Sequence, residues 1–455
     1  MKPSRNNPRR PSPAASKPQK AAPARGARPP FDLRLGTFFL WLLLLVPPLI
    51  FYPIAKESFR YPKLLLCEWL ALASATALAW GLSRVERVRL ADLWRSPAVR
   101  AVVPVLVVAT AGLAFTRHPL HAREGLIDLW IGAVCLVVWS LALPVPRLER
   151  LLAGLLVPAT VLAAIGILQV TGVWQPLAFV GIEAGSRLAM TSTAGNPGDL
   201  GAYLVLPSLL AQWLLARDLK RGGRPRLAVV VALAVCASAL LLTQTLAALA
   251  AFAAGSLLLW GLVLPGRRAL LAGAGLAAAA VVLVLSVAPL RERVIAKSRQ
   301  ALAGDWNAVL TNRLDGWRTA LWMLRENPLT GVGHGAYRPE FVPAKLALLD
   351  QGVRFSPDLE QDVVFANAHN EFLEAGAEWG IPGLLALAWG IWVLVSAVKN
   401  RRGEEEGRAF AWAGTAALAV LSLAHFPFRL GLVAFPALLF LSWVLRRSPG
   451  PEEEA

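Results

Sequence analysis

At 455 residues, with 56% hydrophobic and only 16% charged side chains and a mean hydropathy of +0.53, the chain carries more apolar surface than a soluble core can hide, which excludes an ordinary water-soluble enzyme. Its 46 Lys and Arg outnumber 29 Asp and Glu, yet no nucleic-acid motif accompanies the excess. The charge is therefore read as membrane topology, and no nucleic-acid partner is expected.

Residues 1–35 hold nine basic residues, eight prolines and one acid, Asp32, a composition that cannot bury a core. They are read as a disordered cytoplasmic tail that enforces positive-inside orientation or touches anionic lipid headgroups. Because about 20 apolar residues cross a bilayer as a helix, spans are predicted near 36–53, 63–83, 99–116, 127–146, 151–171, 198–216, 227–244, 246–264, 270–289, 381–398, 409–427 and 431–445. The apolar run Leu227–Leu264 is too long for one span and is divided at Gln244 and Thr245. The first span lacks a small-residue cleavage site and reads as a retained helix rather than a signal peptide.

The reading is an all-α polytopic membrane protein of about twelve helices: nine within 36–289, three within 381–445, and a large polar helical segment, 290–380, between helices 9 and 10. Lys and Arg are concentrated on the side of the termini, so the tails 1–35 and 446–455 are expected in the cytoplasm and segment 290–380 outside. Cys67, Cys135 and Cys236 fall in spans and read as apolar fillers. The five histidines show no metal-ligand spacing, and neither a metal nor a cofactor is expected.

The outward segment opens with Arg291, Arg293, Lys297 and Arg299, read as a solvated helix end. From Val309 to Asn327, apolar residues recur at helical spacing until Pro328 stops the pattern. Arg313 and Trp317 share one face of that helix, Arg318 lies on another, and the whole reads either as an interfacial helix or as part of a site. The loop NPLTGVGHGAY places Gly331, Gly333 and Gly335 at alternate positions, where glycine permits close backbone approach; His334 within it reads equally as an exposed side chain.

A further helix is predicted from Asn367 or Ala368, with Gly380 and Pro382 marking its junction with the next span. His369 would then sit in the first turn, where the helix dipole favours a neutral imidazole able to take a proton. Asn370 reads as a cap. Glu371, Glu374 and Glu378 line one side of this helix, as a solvated face, a second base or an arginine partner. Asp358, Glu360 and Asp362 cluster in a loop. Earlier in the chain, Arg187 precedes the turn Asn196-Pro197-Gly198-Asp199 with few acids nearby, and suits a phosphate oxygen.

Taken in order, the arginine-bearing NP turn, NRLDGWRTALWMLRENPLTGVGHGAY and AHNEFLEAGAEWGIPGLL resemble the O-antigen ligase and polymerase superfamily of bacterial envelopes. The resemblance implies an inverting, metal-independent glycosyltransferase of the inner membrane with a periplasmic active site. Its donor would be a glycan on undecaprenyl diphosphate, and its acceptor a sugar hydroxyl of the lipid A core in ligases, or another lipid-linked repeat in polymerases. By the same resemblance Arg187 and Arg313 hold the donor diphosphate with Arg318 beside them, and His369 is the base. His334, Asn370, Glu371, Gly331 and Gly333 support them. The chain has Thr243-Gln244-Thr245-Leu246 where the family carries a T-x-S-R pattern. A transporter or flippase is the alternative of another class, but such a protein needs ionisable groups or broken helices at mid-membrane depth, and the predicted spans are nearly free of charge.

Overall fold

The computed structural model describes residues 31–52, 59–85, 93–175, 185, 187–264, 266–286, 288–356, 364–401 and 405–446. Most of the basic tail, the end of the C-terminal tail and the Asp358–Asp362 cluster lie outside these residues. Among the described residues the fold is entirely helical, with no strand. The α-helices, in chain order, are α1 (Phe31–Leu45), α2 (Tyr61–Val85), α3 (Pro97–Ala111), α4 (Pro119–Ala142), α5 (Val145–Gly154), α6 (Leu156–Val170), α7 (Pro197–Lys220), α8 (Leu227–Leu242), α9 (Leu246–Val263), α10 (Gly266–Ser286), α11 (Ala288–Leu302), α12 (Trp306–Val309), α13 (Arg313–Glu326), α14 (Tyr337–Asp350), α15 (Glu371–Lys399), α16 (Glu405–Ser422) and α17 (Gly431–Leu445).

Eight helical stretches among the described residues are long and apolar enough to cross a membrane, and α8 and α17 are shorter apolar helices. Proline marks several breaks. Pro47 and Pro48 end α1 in a short 3-10 turn, and the expected division of Leu227–Leu264 falls where Gln244 takes φ +52°, between α8 and α9. Apolar all round, α7 is the most enclosed of the eight, with 94% of its apolar window buried. A helix without a polar face must be surrounded, and α6, α8, α9 and α16 pack against it. Trp213 on α7 stacks on Phe410 of α16 at 4.9 Å and meets Trp443 of α17 at 5.8 Å. Outer helices instead present Trp69, Val107, Val157 and Trp392 outward, as helices facing lipid do.

α15 joins the polar segment to the membrane part. Its helical path is interrupted at Gly380, with φ +67° and ψ −164°. The interruption and Pro382, which has no N–H, strip Ala377 and Glu378 of their usual helical donors. The glycine loop replaces them: Val332 N–H donates to Ala377 O at 2.9 Å, Gly333 N–H to Glu378 O at 3.0 Å, and Ile381 N–H is taken by Pro328 O at 2.7 Å. Gly331 and Gly333 both have positive φ, and a Cβ at Gly331 would sit 2.2 Å from the Glu378 carbonyl carbon. The glycine loop is thus a backbone patch that repairs a broken helix.

The carboxylates of α15 correct the solvated-face reading, because Glu374 and Glu378 are fully buried. Arg429, from the loop between α16 and α17, bridges them: its Nε lies 3.0 Å from Glu374 and its guanidinium 2.6 Å from Glu378. Glu378 also meets His334 Nδ1 at 2.8 Å, so His334 is buried and fixed. Glu374 reaches back to accept from Asn367 Nδ2 at 3.0 Å and Ala368 N–H at 2.8 Å, and Glu371 accepts from Phe428 N–H at 3.0 Å.

Two stability changes are expected. Gly380→Ala forces a Cβ into a backbone region reserved for glycine and to 2.6 Å from Pro328 O, a cost of roughly 1–3 kcal/mol for the backbone alone. Arg429→Met leaves two buried carboxylates without their cation, a loss of roughly 3–5 kcal/mol. Thermal unfolding of the purified protein followed by tryptophan fluorescence should show both, with Arg429→Met the larger; wild-type unfolding in either variant contradicts the account.

Candidate active site

The Arg-Trp helix expected over 309–327 is two helices. Thr311 and Asn312 take φ +58° and +62°, which no α-helix tolerates, so α12 ends and α13 restarts with Arg313 as its first residue. α13 is also not simply a helix lying at a lipid interface. Asp315, Gly316, Thr319, Ala320 and Met323 are buried where it packs on α15 and α14. Gly316 permits a close approach here: a Cβ would come within 3.0 Å of the Phe365 ring and 3.1 Å of Ala368 O. The strand of chain leading to His369 therefore lies directly on the first turns of α13, next to Arg313.

His369 does not occupy the first turn of a helix as expected. It precedes the cap, with φ +55°. Asn370 is the cap, its side chain accepting from Phe372 and Leu373 N–H, both at 3.0 Å, and α15 begins at Glu371. A left-handed conformation at a non-glycine residue is strained and persists only where surroundings impose it; Glu374 on one side and the Asn370 cap on the other supply that constraint. The imidazole sits edge-on to Phe365 and Phe426, with centroids at 5.4 Å and 4.9 Å, and its buried Nδ1 has no hydrogen-bond partner. Burial, then the positive charges of Arg313 and Arg60, push its pKa down to about 4. A neutral imidazole was expected from the helix dipole; burial and cations are what produce it.

His425, in the loop that also carries Arg429, lies 6.5 Å from the His369 ring. Its Nδ1 accepts from Phe426 N–H at 2.8 Å, and burial followed by Arg313, His369 and Arg60 holds it near 3. Arg60 grips Asp199 at 2.7 Å and 3.0 Å and lies 5.7 Å from the Phe426 centroid. Asp199 is in the first turn of α7, which Asn196 caps through Gly198 N–H at 2.6 Å, as the NP turn predicted. The spans are therefore not simply charge-free, since Lys63 and Asp199 are buried near span ends.

Arg187 comes from a separate turn and reaches the α8–α9 break, donating from Nε to Thr243 O at 2.9 Å and from its guanidinium to Thr245 Oγ1 at 3.5 Å. The Thr243–Leu246 segment that lacks the family's arginine thus receives one from elsewhere in the chain. Burial, then Arg293 and Arg313, push Arg187 down to about 10. Arg313 is likewise lowered, by burial and then Arg293.

The structure brings Arg187, Arg313 and His369 together, along with Arg60, Arg293, Lys297 and His425. Arg318 stays out of this group: it pairs with Asp315 at 3.2 Å and donates to Arg354 O at 3.0 Å. His334, Gly331 and Gly333 belong to the repaired kink, Asn370 to the cap below His369, and Glu371 to Phe428. Arg60 and His425 gave no usable sequence signal, because each stands alone near a span end and joins the site only through packing. Arg293 and Lys297 carried a signal in their spacing of four on one face of α11.

No curated protein matches the chain. Residues 229–388 match the family model described as O-Antigen ligase. That stretch includes Arg293, Lys297, Arg313 and His369, while Arg60, Arg187 and His425 lie outside it. That match, over about a third of the chain, supports the resemblance to the O-antigen ligase superfamily that the order of the motifs carries.

Proposed function

We propose that the protein is an inverting glycosyltransferase that moves a glycan from an undecaprenyl-diphosphate carrier to a sugar hydroxyl of the lipid A core, acting as an O-antigen ligase at the periplasmic face of the inner membrane. The observation that carries this reading is the juxtaposition of Arg187 and Arg313 with an imidazole, His369, whose Nδ1 is unengaged and which no carboxylate holds. The matched family description supports glycosyl transfer of the kind that ligases and polymerases share.

In this reading Arg187 and Arg313 bind the diphosphate and stabilise the negative charge that grows on it as the glycosidic C1–O bond breaks. The acceptor oxygen forms its bond to C1 from the opposite face, inverting the configuration, and its proton passes to His369. The diphosphate leaves on its lipid. Arginines supply the charge stabilisation that a metal provides in other phosphate chemistry, so transfer is expected to survive chelation with EDTA.

The low basicity of His369 has a use. Arg313 is one of the charges that keep it neutral, and an anion bound to Arg313 offsets that charge, so the base strengthens once donor is in place. The substrate thereby completes its own base.

His369→Ala should lower kcat by roughly 10²–10⁴-fold with donor binding retained, and full activity in that variant removes the base. The double variant Arg187→Ala, Arg313→Ala should lose donor binding; retained binding removes the clamp. A base must be unprotonated, so activity falls as pH drops through its pKa. In kcat/KM, which reports the free enzyme, the acid limb should lie near 4, and in kcat it should lie higher. Limbs at the same pH would contradict the coupling between donor and base. In vitro transfer with purified carrier-linked glycan and alternative acceptors distinguishes ligase from polymerase.

A further inference from the structure

α11 follows α10 directly and packs on α10 and α12, and its residues divide by face. Arg293 and Lys297, four apart, share one half-buried face together with Gln300, whereas Arg291, Val294, Ile295 and Arg299 are exposed. A helix end that is merely solvated has no reason to turn two cations inward and two apolar residues outward. Burying charge is costly without compensation, yet no acid among the described residues forms an ion pair with Arg293, Lys297, Arg187 or Arg313. Lys297 hydrogen-bonds only a carbonyl, that of Ala308, which ties α11 to the turn leading into Arg313. The Arg293 Nε is buried without any partner.

These cations are close enough to act on one another. Arg293 bears on Arg187, Arg313 and Lys297, and Lys297 also feels Arg187 and Arg313. Four side chains from three separate elements thus converge; among the described residues Asp305 acts on Lys297, but no acid forms an ion pair with any of the four. A phosphate monoester presents its charge at one point, whereas a diphosphate ester spreads negative charge and acceptor oxygens over two phosphates and can meet cations on two sides.

We propose that Arg293 and Lys297 form the second jaw of the anion site, contacting the second phosphate of the donor, so that the site selects a diphosphate ester over a monophosphate ester. This rests on the glycosyl-transfer reading and extends it: Arg187 and Arg313 alone would accept either ester. The jaw comes from α11, outside the conspicuous motifs, and is set in place by the Lys297 contact with Ala308.

The full chain in lipid nanodiscs can be titrated with farnesyl diphosphate and farnesyl monophosphate. Wild type should bind the diphosphate more tightly. Arg293→Gln with Lys297→Gln should weaken diphosphate binding by about tenfold or more, the equivalent of losing at least one charged hydrogen bond, while monophosphate binding changes little. Arg291→Gln with Arg299→Gln, which removes the same charge from the exposed face, should leave both affinities unchanged. Equal losses in the two double variants mean long-range charge alone and overturn the jaw. Equal losses for the two esters point to a lipid headgroup site instead and overturn it too. If the double variant fails to fold, Arg293→Lys alone serves: a fork replaced by a point charge should still lower the preference for diphosphate, and an unchanged preference overturns the proposal. A wild type that cannot tell the two esters apart overturns the jaw, whereas a wild type that binds neither ester overturns the transfer reading beneath it.

Discussion

The buried charge of Arg429 is the interaction on which the arrangement of the site depends. Its guanidinium lies between Glu374 and Glu378 on the first half of α15, so it locks the loop after α16 onto that helix. That loop brings His425 and Phe426. Glu374 in turn holds the backbone at Ala368, immediately before His369, and Glu378 holds His334 of the glycine loop. Charges in a medium of low dielectric persist only when paired, and here the pairing fixes three chain segments that are remote in sequence.

The same physics sets another group of charges apart. Around Arg429, carboxylates and cations satisfy one another, and the result is structural. Around Arg187, Arg293, Lys297 and Arg313, positive charge accumulates without a matching acid among the described residues. The fold bears that cost, and an anionic ligand is the natural complement. His369 stands where the two regions meet. Its backbone is constrained by the compensated network, and its basicity is lowered by burial first and then by Arg313 and Arg60.

Much of the membrane architecture was legible in the chain, because a bilayer imposes a length and a polarity on every span. The break at Gln244–Thr245, the NP turn capped by Asn196 and the discontinuity at Gly380 all followed from local residue chemistry. Arg187 stood out as an arginine in an acid-poor turn, while Arg313 and His369 became candidates through the order of the motifs they sit in. The resemblance placed Arg318 beside Arg313 at the diphosphate, yet the two were read on different faces of the helix, and Asp315 claims Arg318. The glutamates of α15 looked like a solvated stripe because helical periodicity reports a shared face without reporting what faces it. Their partner, Arg429, is more than fifty residues away.

By itself the sequence determined most of the helices, several of their breaks and the residue types suited to a diphosphate and to accepting a proton, since propensity, proline, glycine and apolar length act locally. Only the tertiary structure decided which charges were paired with an acid and which were not. That depends on distances between elements far apart in the chain, such as α11 and the turn at Arg187, or α15 and the loop at Arg429, and electrostatic compensation is a property of those distances rather than of any segment alone.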